Sequence, residues 1–182
     1  MVYAFLADGL EEVECLSVVD ILRRAGIPVT LVAVSDNRLI TGSHQIRIDC
    51  DQRFEDTVVE TEDVLFLPGG VPGVPNLRAH EGLMRLLKVH NSQGGRIAAI
   101  CAAPSILGDL GLLKGHKATC YPGWESHFGE GVHVTDGVIT DGTITTARGL
   151  GYGLDLGLEL VRILLSSEKS DQIRKAIQYP GT

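Results

Sequence analysis

Short unbroken apolar runs alternate along the chain with stretches whose apolar residues recur every three or four positions. Residues 2–7 (Val-Tyr-Ala-Phe-Leu-Ala) form the first such run and predict a strand buried on both faces. Across residues 11–24, Val13, Leu16, Val19 and Leu22 recur every third position and predict an amphipathic helix along that stripe. Glu11 and Glu12 suit its first turn, and Arg23, Arg24 and Gly26 its last turn and stop. A second strand is expected over residues 28–34, and a hairpin between 38 and 49 around Thr41-Gly42-Ser43. Residues 63–67 are another buried run and end in Pro68-Gly69-Gly70. A helix is predicted over 76–92 from the spacing of Leu83, Met84, Leu86 and Leu87, closed by Gly94-Gly95. The strand 96–100 then runs into Cys101, and a short helix opens at Pro104. A strand over 117–121 follows, and Asp141-Gly142 marks a hairpin between 138 and 147. Helices over about 152–166 and 170–177 close the chain. Strands alternating with helices predict an α/β protein whose mainly parallel sheet carries helices on both faces. No internal repeat or linker interrupts the pattern, so residues 1–182 read as one domain.

Composition narrows the class. With 16 Lys and Arg against 23 Asp and Glu, the net charge is −7, which argues against nucleic acid or an anionic membrane as partner. No apolar stretch approaches the roughly eighteen residues of a membrane helix. The first residues lack a basic n-region, so they read as a strand, not a signal peptide, and a cytoplasmic location is expected. Cys15, Cys50, Cys101 and Cys120 contain no C-x-x-C pair, which suggests reduced thiols. His116 with Cys120, and Glu125 with His127, are isolated pairs, so no metal site is expected, and no cofactor either.

Cys101 is the most informative residue. It stands where a buried strand turns sharply into a helix, flanked by small side chains, at the sheet edge where open α/β sheets bind ligands. A helix start nearby favours thiolate over thiol. The corner alone leaves two readings open, an exposed nucleophile or a small buried core residue. Gly69 and Gly70, after their own buried strand, bring flexible backbone whose N–H groups suit an oxyanion hole, or simply make a tight loop. Glu11, Glu12 and Glu14 cluster at the same sheet edge. Glu11 and Glu12 suit the helix dipole, whereas Glu14 sits beside the apolar stripe and can lean inward. A carboxyl buried there keeps its proton more readily and could pass it to and from a sulfur. Gly149-Leu150-Gly151-Tyr152-Gly153 lacks the spacing of a dinucleotide loop and reads as a turn into the last long helix.

Taken in order, five segments resemble the ThiJ/PfpI superfamily over nearly the whole chain. They are Gly9-Leu10-Glu11-Glu12-Val13-Glu14, Asp20 to Ile27, Leu67-Pro68-Gly69-Gly70, Ala98 to Pro104 around Cys101, and Thr146-Ala147-Arg148-Gly149. The chain looks most similar to the branch of the Parkinson-disease-associated deglycase and bacterial YajL-type members. The resemblance implies a flavodoxin-like three-layer sandwich, usually a homodimer, acting without a cofactor. It implies Cys101 as the reactive cysteine, Glu14 as the protonated carboxyl beside it, and Gly69, Gly70 and the N–H of Ala102 around the oxyanion. Two departures matter. Protease-like members place His directly after the cysteine, where this chain has Ala102, so peptidase activity is disfavoured. The human-type branch has a His where this chain has Tyr121, which either donates a hydrogen bond or walls the pocket. The activity implied is that of a glyoxalase or deglycase acting on reactive carbonyls or their protein adducts, protective under carbonyl or oxidative stress. The alternative is a redox-responsive chaperone with little catalysis; a thiazole-biosynthesis role ranks last.

Overall fold

The computed structural model describes residues 1–180. The chain runs β1 (Val2–Leu6), α1 (Glu12–Arg24), β2 (Val29–Ala33), β3 (Leu39–Thr41), β4 (Arg47–Asp49) and β5 (Gln52–Arg53). It continues through β6 (Val64–Leu67), α2 (Gly73–Ala79), α3 (Glu81–Ser92), β7 (Arg96–Ile100) and α4 (Pro104–Asp109). Then come β8 (Lys117–Ala118), β9 (Val132–His133), β10 (Val138–Asp141), β11 (Ile144–Ala147), α5 (Gly153–Leu164) and α6 (Ser167–Ala176). Seven strands form the main sheet in the order β10-β11-β7-β6-β1-β2-β5. All its pairings are parallel except β10 with β11, the hairpin that Asp141-Gly142 predicts.

Alternation along β1 shows how the two layers form. Val2, Ala4 and Leu6 face a core shared with Cys15, Val18, Ile21 and Leu22 of α1 and Leu156 and Leu160 of α5. Tyr3 and Phe5 face the opposite core, with Val74 of α2, Leu83 and Leu87 of α3, and Ile106 and Leu107 of α4. A strand buried on both faces has no polar side to spare, which is why β1, β6 and β7 read as continuous apolar runs.

Three expectations are corrected. The helix expected over 76–92 is two helices, because His80 takes an extended backbone (ψ 96°) and its Nδ1 accepts the Leu83 N–H at 3.0 Å, capping α3. The His80 ring also packs edge-on against Phe54, centroids 4.5 Å apart, which anchors the break. The strand expected over 117–121 shrinks to β8, which pairs with β9 outside the main sheet. The stripe assigned to α1 holds only in its second half: Val19 and Leu22 are buried, but Val13 and Leu16 are exposed, and the buried face starts from Glu14, Cys15 and Val18. Counting every third residue drifts by about 60° per three residues from a 100°-per-residue helix, so a stripe drawn from Val13 begins outside and reaches the core side only at Val19 and Leu22. No helix among the described residues is long and apolar enough to cross a membrane.

Candidate active site

The order β7-β6-β1 sets the carboxyl ends of three neighbouring strands side by side. β7 delivers Cys101, β6 delivers Gly69 and Gly70, and β1 leads through Gly9 and Leu10 into α1 with Glu14. The loops are stitched together by backbone bonds, Glu11 N–H to the Gly69 carbonyl at 2.9 Å and Cys101 N–H to the Ala147 carbonyl at 2.9 Å.

Cys101 adopts a left-handed backbone, φ +63°, a region that side chains with a Cβ rarely take. The turn lifts the side chain out of the sheet, leaving it partly exposed while its neighbours Ala102 and Ala103 are buried. Strain of this kind costs about 1–3 kcal/mol and survives where surrounding structure enforces it. Here the enforcement comes from β7 on one side and Pro104 at the first turn of α4 on the other.

Glu14 is 1% exposed, and its carboxyl is hydrogen-bonded to the Cys101 thiol and accepts the Gly69 N–H at 3.1 Å. The Leu150 N–H is its third partner. Glycine is required at 69, because a Cβ there would collide with both the Glu14 carboxylate and the Cys101 Cβ. Gly70, at φ +105°, then turns its N–H toward the Cys101 sulfur, which also receives the Ala102 N–H. Thus, of the three backbone groups expected around an oxyanion, Gly70 and Ala102 face the sulfur and Gly69 is committed to Glu14.

Burial pushes the Glu14 carboxyl up to about 7, and the charge of Glu11 adds to the push. The bonds it accepts from Cys101, Gly69 and Leu150 work the other way. Burial also pushes the Cys101 thiol up to about 12, followed by the Glu14 charge and the hydrogen bond the thiol donates to it, against the N–H groups of Ala102 and Gly70. A thiol ionised simply by its corner and a helix start is therefore not what the packing produces. The two groups titrate together, and the values belong to the pair. With one proton between them, the sulfur is anionic only while Glu14 holds that proton and donates it to sulfur.

Tyr121 is 53% exposed, and its tie to the site is through the backbone, its N–H donating to the Cys101 carbonyl at 2.8 Å. Its ring lies over Gly149 and, with Pro122, Arg148, Leu150 and Tyr152, lines a cavity of about 350 Å³ beside the elbow. The remaining cysteines differ from Cys101: Cys15, Cys50 and Cys120 are buried.

The sequence assigns Glu12 only a helix-dipole role, and the structure gives it another. It is 1% exposed and holds the β3–β4 hairpin: Oε1 accepts the N–H of His44 at 2.7 Å and of Ile46 at 3.3 Å, and Oε2 pairs with His44 Nδ1 at 2.9 Å. The available signal was Gly42, where a Cβ would collide with the Glu12 side chain. Among the described residues, two groups bring three ligand-type side chains together: Glu11, Glu12 and His44, and Cys120, Glu125 and His133. The second joins residues that sequence spacing kept apart.

Parallel α/β layers with a strained cysteine beside a buried carboxyl at the strand ends define an α/β sandwich with a candidate cysteine–carboxyl site. The DJ-1/PfpI family model matches residues 1–163, and the chain belongs to that family. The C. elegans protein named glutathione-independent glyoxalase DJR-1.2 is 30% identical over 172 residues, covering 93% of this chain and 91% of that one. Arabidopsis DJ-1 homolog B is 32% identical over 94% of this chain, of whose own length the chain spans 39%, as it spans 44% of homolog A. Among solved structures, oxidized Toxoplasma gondii DJ-1 superposes with a TM-score of 0.93 at 31% identity, covering 98% of each chain.

Proposed function

We propose that the protein is a cofactor-free glyoxalase whose nucleophile is Cys101 and whose proton carrier is Glu14, acting on small α-oxoaldehydes. The observation that carries this reading is the Cys101–Glu14 hydrogen bond on a strained elbow, with the Gly70 and Ala102 N–H groups on the sulfur. A relative named as a glyoxalase supports the same class.

In the reactive state Glu14 holds the shared proton and Cys101 is a thiolate. The sulfur adds to the aldehyde carbon, and the carbonyl oxygen takes the Glu14 proton, giving a hemithioacetal. The Gly70 and Ala102 N–H groups, relieved of the sulfur's charge, face the oxygen on which charge develops. Glu14, now a carboxylate, removes the hydrogen on the former aldehyde carbon. Glu14 passes that proton to the neighbouring ketone oxygen as the enediol forms, then carries the hydroxyl proton of the first carbon to the second carbon, which leaves a 2-hydroxyacyl thioester on Cys101. Water cleaves that thioester to the hydroxy acid and restores the thiol, so one oxoaldehyde and one water become one hydroxy acid. A single carboxyl that cycles between acid and base suits this sequence when its pKa lies near the working pH, as the value of about 7 does.

Ala102 leaves no histidine beside the nucleophile to protonate an amine leaving group, which weighs against peptide cleavage. Adducts of such aldehydes with protein amines or thiols are a further substrate class within this proposal. The test is turnover of methylglyoxal to lactate by the wild type and Cys101→Ala. Loss of turnover with the fold retained supports the assignment; turnover in the variant overturns it.

A further inference from the structure

Immediately upstream of Tyr121, the chain gathers a thiol, a carboxylate and an imidazole from three separate positions. The Cys120 sulfur, a Glu125 carboxylate oxygen and a His133 ring nitrogen all lie within 4.8 Å of one another. They come from the end of β8, the short 3-10 turn Glu125–Phe128 and β9, so the β8–β9 pairing itself assembles the group. The geometry points to a zinc(II) site at Cys120, Glu125 and His133 that fastens the segment carrying Tyr121 over the Cys101 elbow.

The donor set suits that ion. Sulfur, nitrogen and oxygen are the three ligand types zinc accepts, and three protein ligands with one open position for water is a common arrangement. Tetrahedral coordination at ordinary zinc bond lengths needs these ligand atoms about 3.3–3.6 Å apart, so atoms already within 4.8 Å of one another need to close by at most about 1.5 Å. The surroundings allow it. Cys120 is buried at the base of the group, Glu125 is half-buried and His133 is exposed, so the base is rigid and the rim has room to move.

Two features orient the rim. The Gly123 N–H donates to Glu125 Oε2 at 2.8 Å, fixing the carboxylate, and the His133 ring meets the buried Phe128 edge-on with centroids 5.7 Å apart. Burial, and after it the Glu125 charge, keeps the Cys120 thiol protonated against the nearby Arg148 charge, and a coordinated dication would displace that proton. The other three-residue group does not compete, since the Glu12 oxygens are already engaged by His44, Ile46 and Ser43.

Bound zinc would tie β8, the turn and β9 around the residue next to Tyr121, whose N–H donates to the Cys101 carbonyl. The ion is thus assigned a fastening role, independent of the carbonyl chemistry.

The test uses the full chain carrying Cys101→Ser, which removes the partly exposed thiol, under a non-thiol reductant. Titration with Co(II) should give a thiolate-to-cobalt charge-transfer band saturating at one equivalent and displaced by Zn(II). Zn(II) should also raise the melting temperature of this protein. Adding His133→Ala or Glu125→Gln, both toward the surface and tolerable to the fold, should weaken binding at least about tenfold. Adding Cys120→Ser should remove the charge-transfer band. No band, or a band of equal strength and affinity in the His133→Ala and Glu125→Gln proteins, overturns the assignment.

Discussion

Glu12 and Glu14 stand two residues apart in the first turn of α1, and each is 1% exposed. Their proton affinities diverge nonetheless. At Glu12 burial opposes ionisation, but the His44 side chain and the backbone N–H groups around it prevail and hold the carboxyl down at about 2. At Glu14 burial wins, Glu11 adds a like charge, and the carboxyl rises to about 7. What differs is the number and kind of donors, together with how much protein surrounds each acid, which is more at Glu14. Glu12 faces a hairpin of N–H groups and an imidazole whose own pKa is raised by the same contact. Glu14 faces a thiol and two N–H groups with no cation among them. One helix turn therefore supplies a permanently charged anchor and a carboxyl able to trade its proton.

The contrast breaks most sharply at Glu14→Gln. An amide can hydrogen-bond to Cys101 and Gly69 but carries no transferable proton, so kcat/KM for methylglyoxal should fall about 10²–10⁴-fold. Wild-type kcat/KM should rise with pH through about 7 as the pair loses its first proton, and the variant should lack that limb. A pH profile without a step near neutrality in the wild type would contradict the shared proton.

Next in size is stability against pH. Glu14 has a folded-state value raised from 4.5 to about 7, so the native state holds the proton more tightly. Its contribution is complete below about 4.5 and is lost as pH rises through about 7, by about 3 kcal/mol for a shift of this size. Urea unfolding at pH 5 and pH 8 should show that decline in the wild type and not in Glu14→Gln. Glu12 has the opposite sign: its depressed value gives stability that is present above 4.5 and fades as pH falls toward 2.

Glu12→Gln should cost about 2 kcal/mol of unfolding free energy, the usual scale for hydrogen bonds to a charged group. Its kcat, measured where the variant is folded, should stay within about threefold of the wild type. A catalytic loss as large as that of Glu14→Gln would erase the distinction between the two acids. The smallest effect is expected at Tyr121→Phe, because the link to Cys101 runs through the Tyr121 N–H and the ring is half exposed. Turnover should change less than about threefold; a larger loss would mean that the hydroxyl takes part.

The amino-acid sequence alone determined the layered α/β architecture, because strands buried on both faces must be apolar throughout and helices must carry a stripe. It also marked the Cys101 corner, since a buried run meeting small residues and a helix-starting proline leaves few other conformations, and Asp141-Gly142 likewise announced its hairpin. What it could not determine are relations that depend on strand order. Only when β7, β6 and β1 lie side by side does Gly69 give its N–H to Glu14, or Glu14 reach Cys101. Only the β8–β9 pairing brings His133 to Cys120, thirteen residues away. The face of α1 that turns inward was decided in the same way, by its packing against the sheet and α5, which left Val13 and Leu16 outside. The physical reason is common to all three. Local patterning reports which side chains avoid water, while a carboxyl's charge, a donor's partner and a ligand set are settled by groups distant in the chain, which only the folded packing brings within reach.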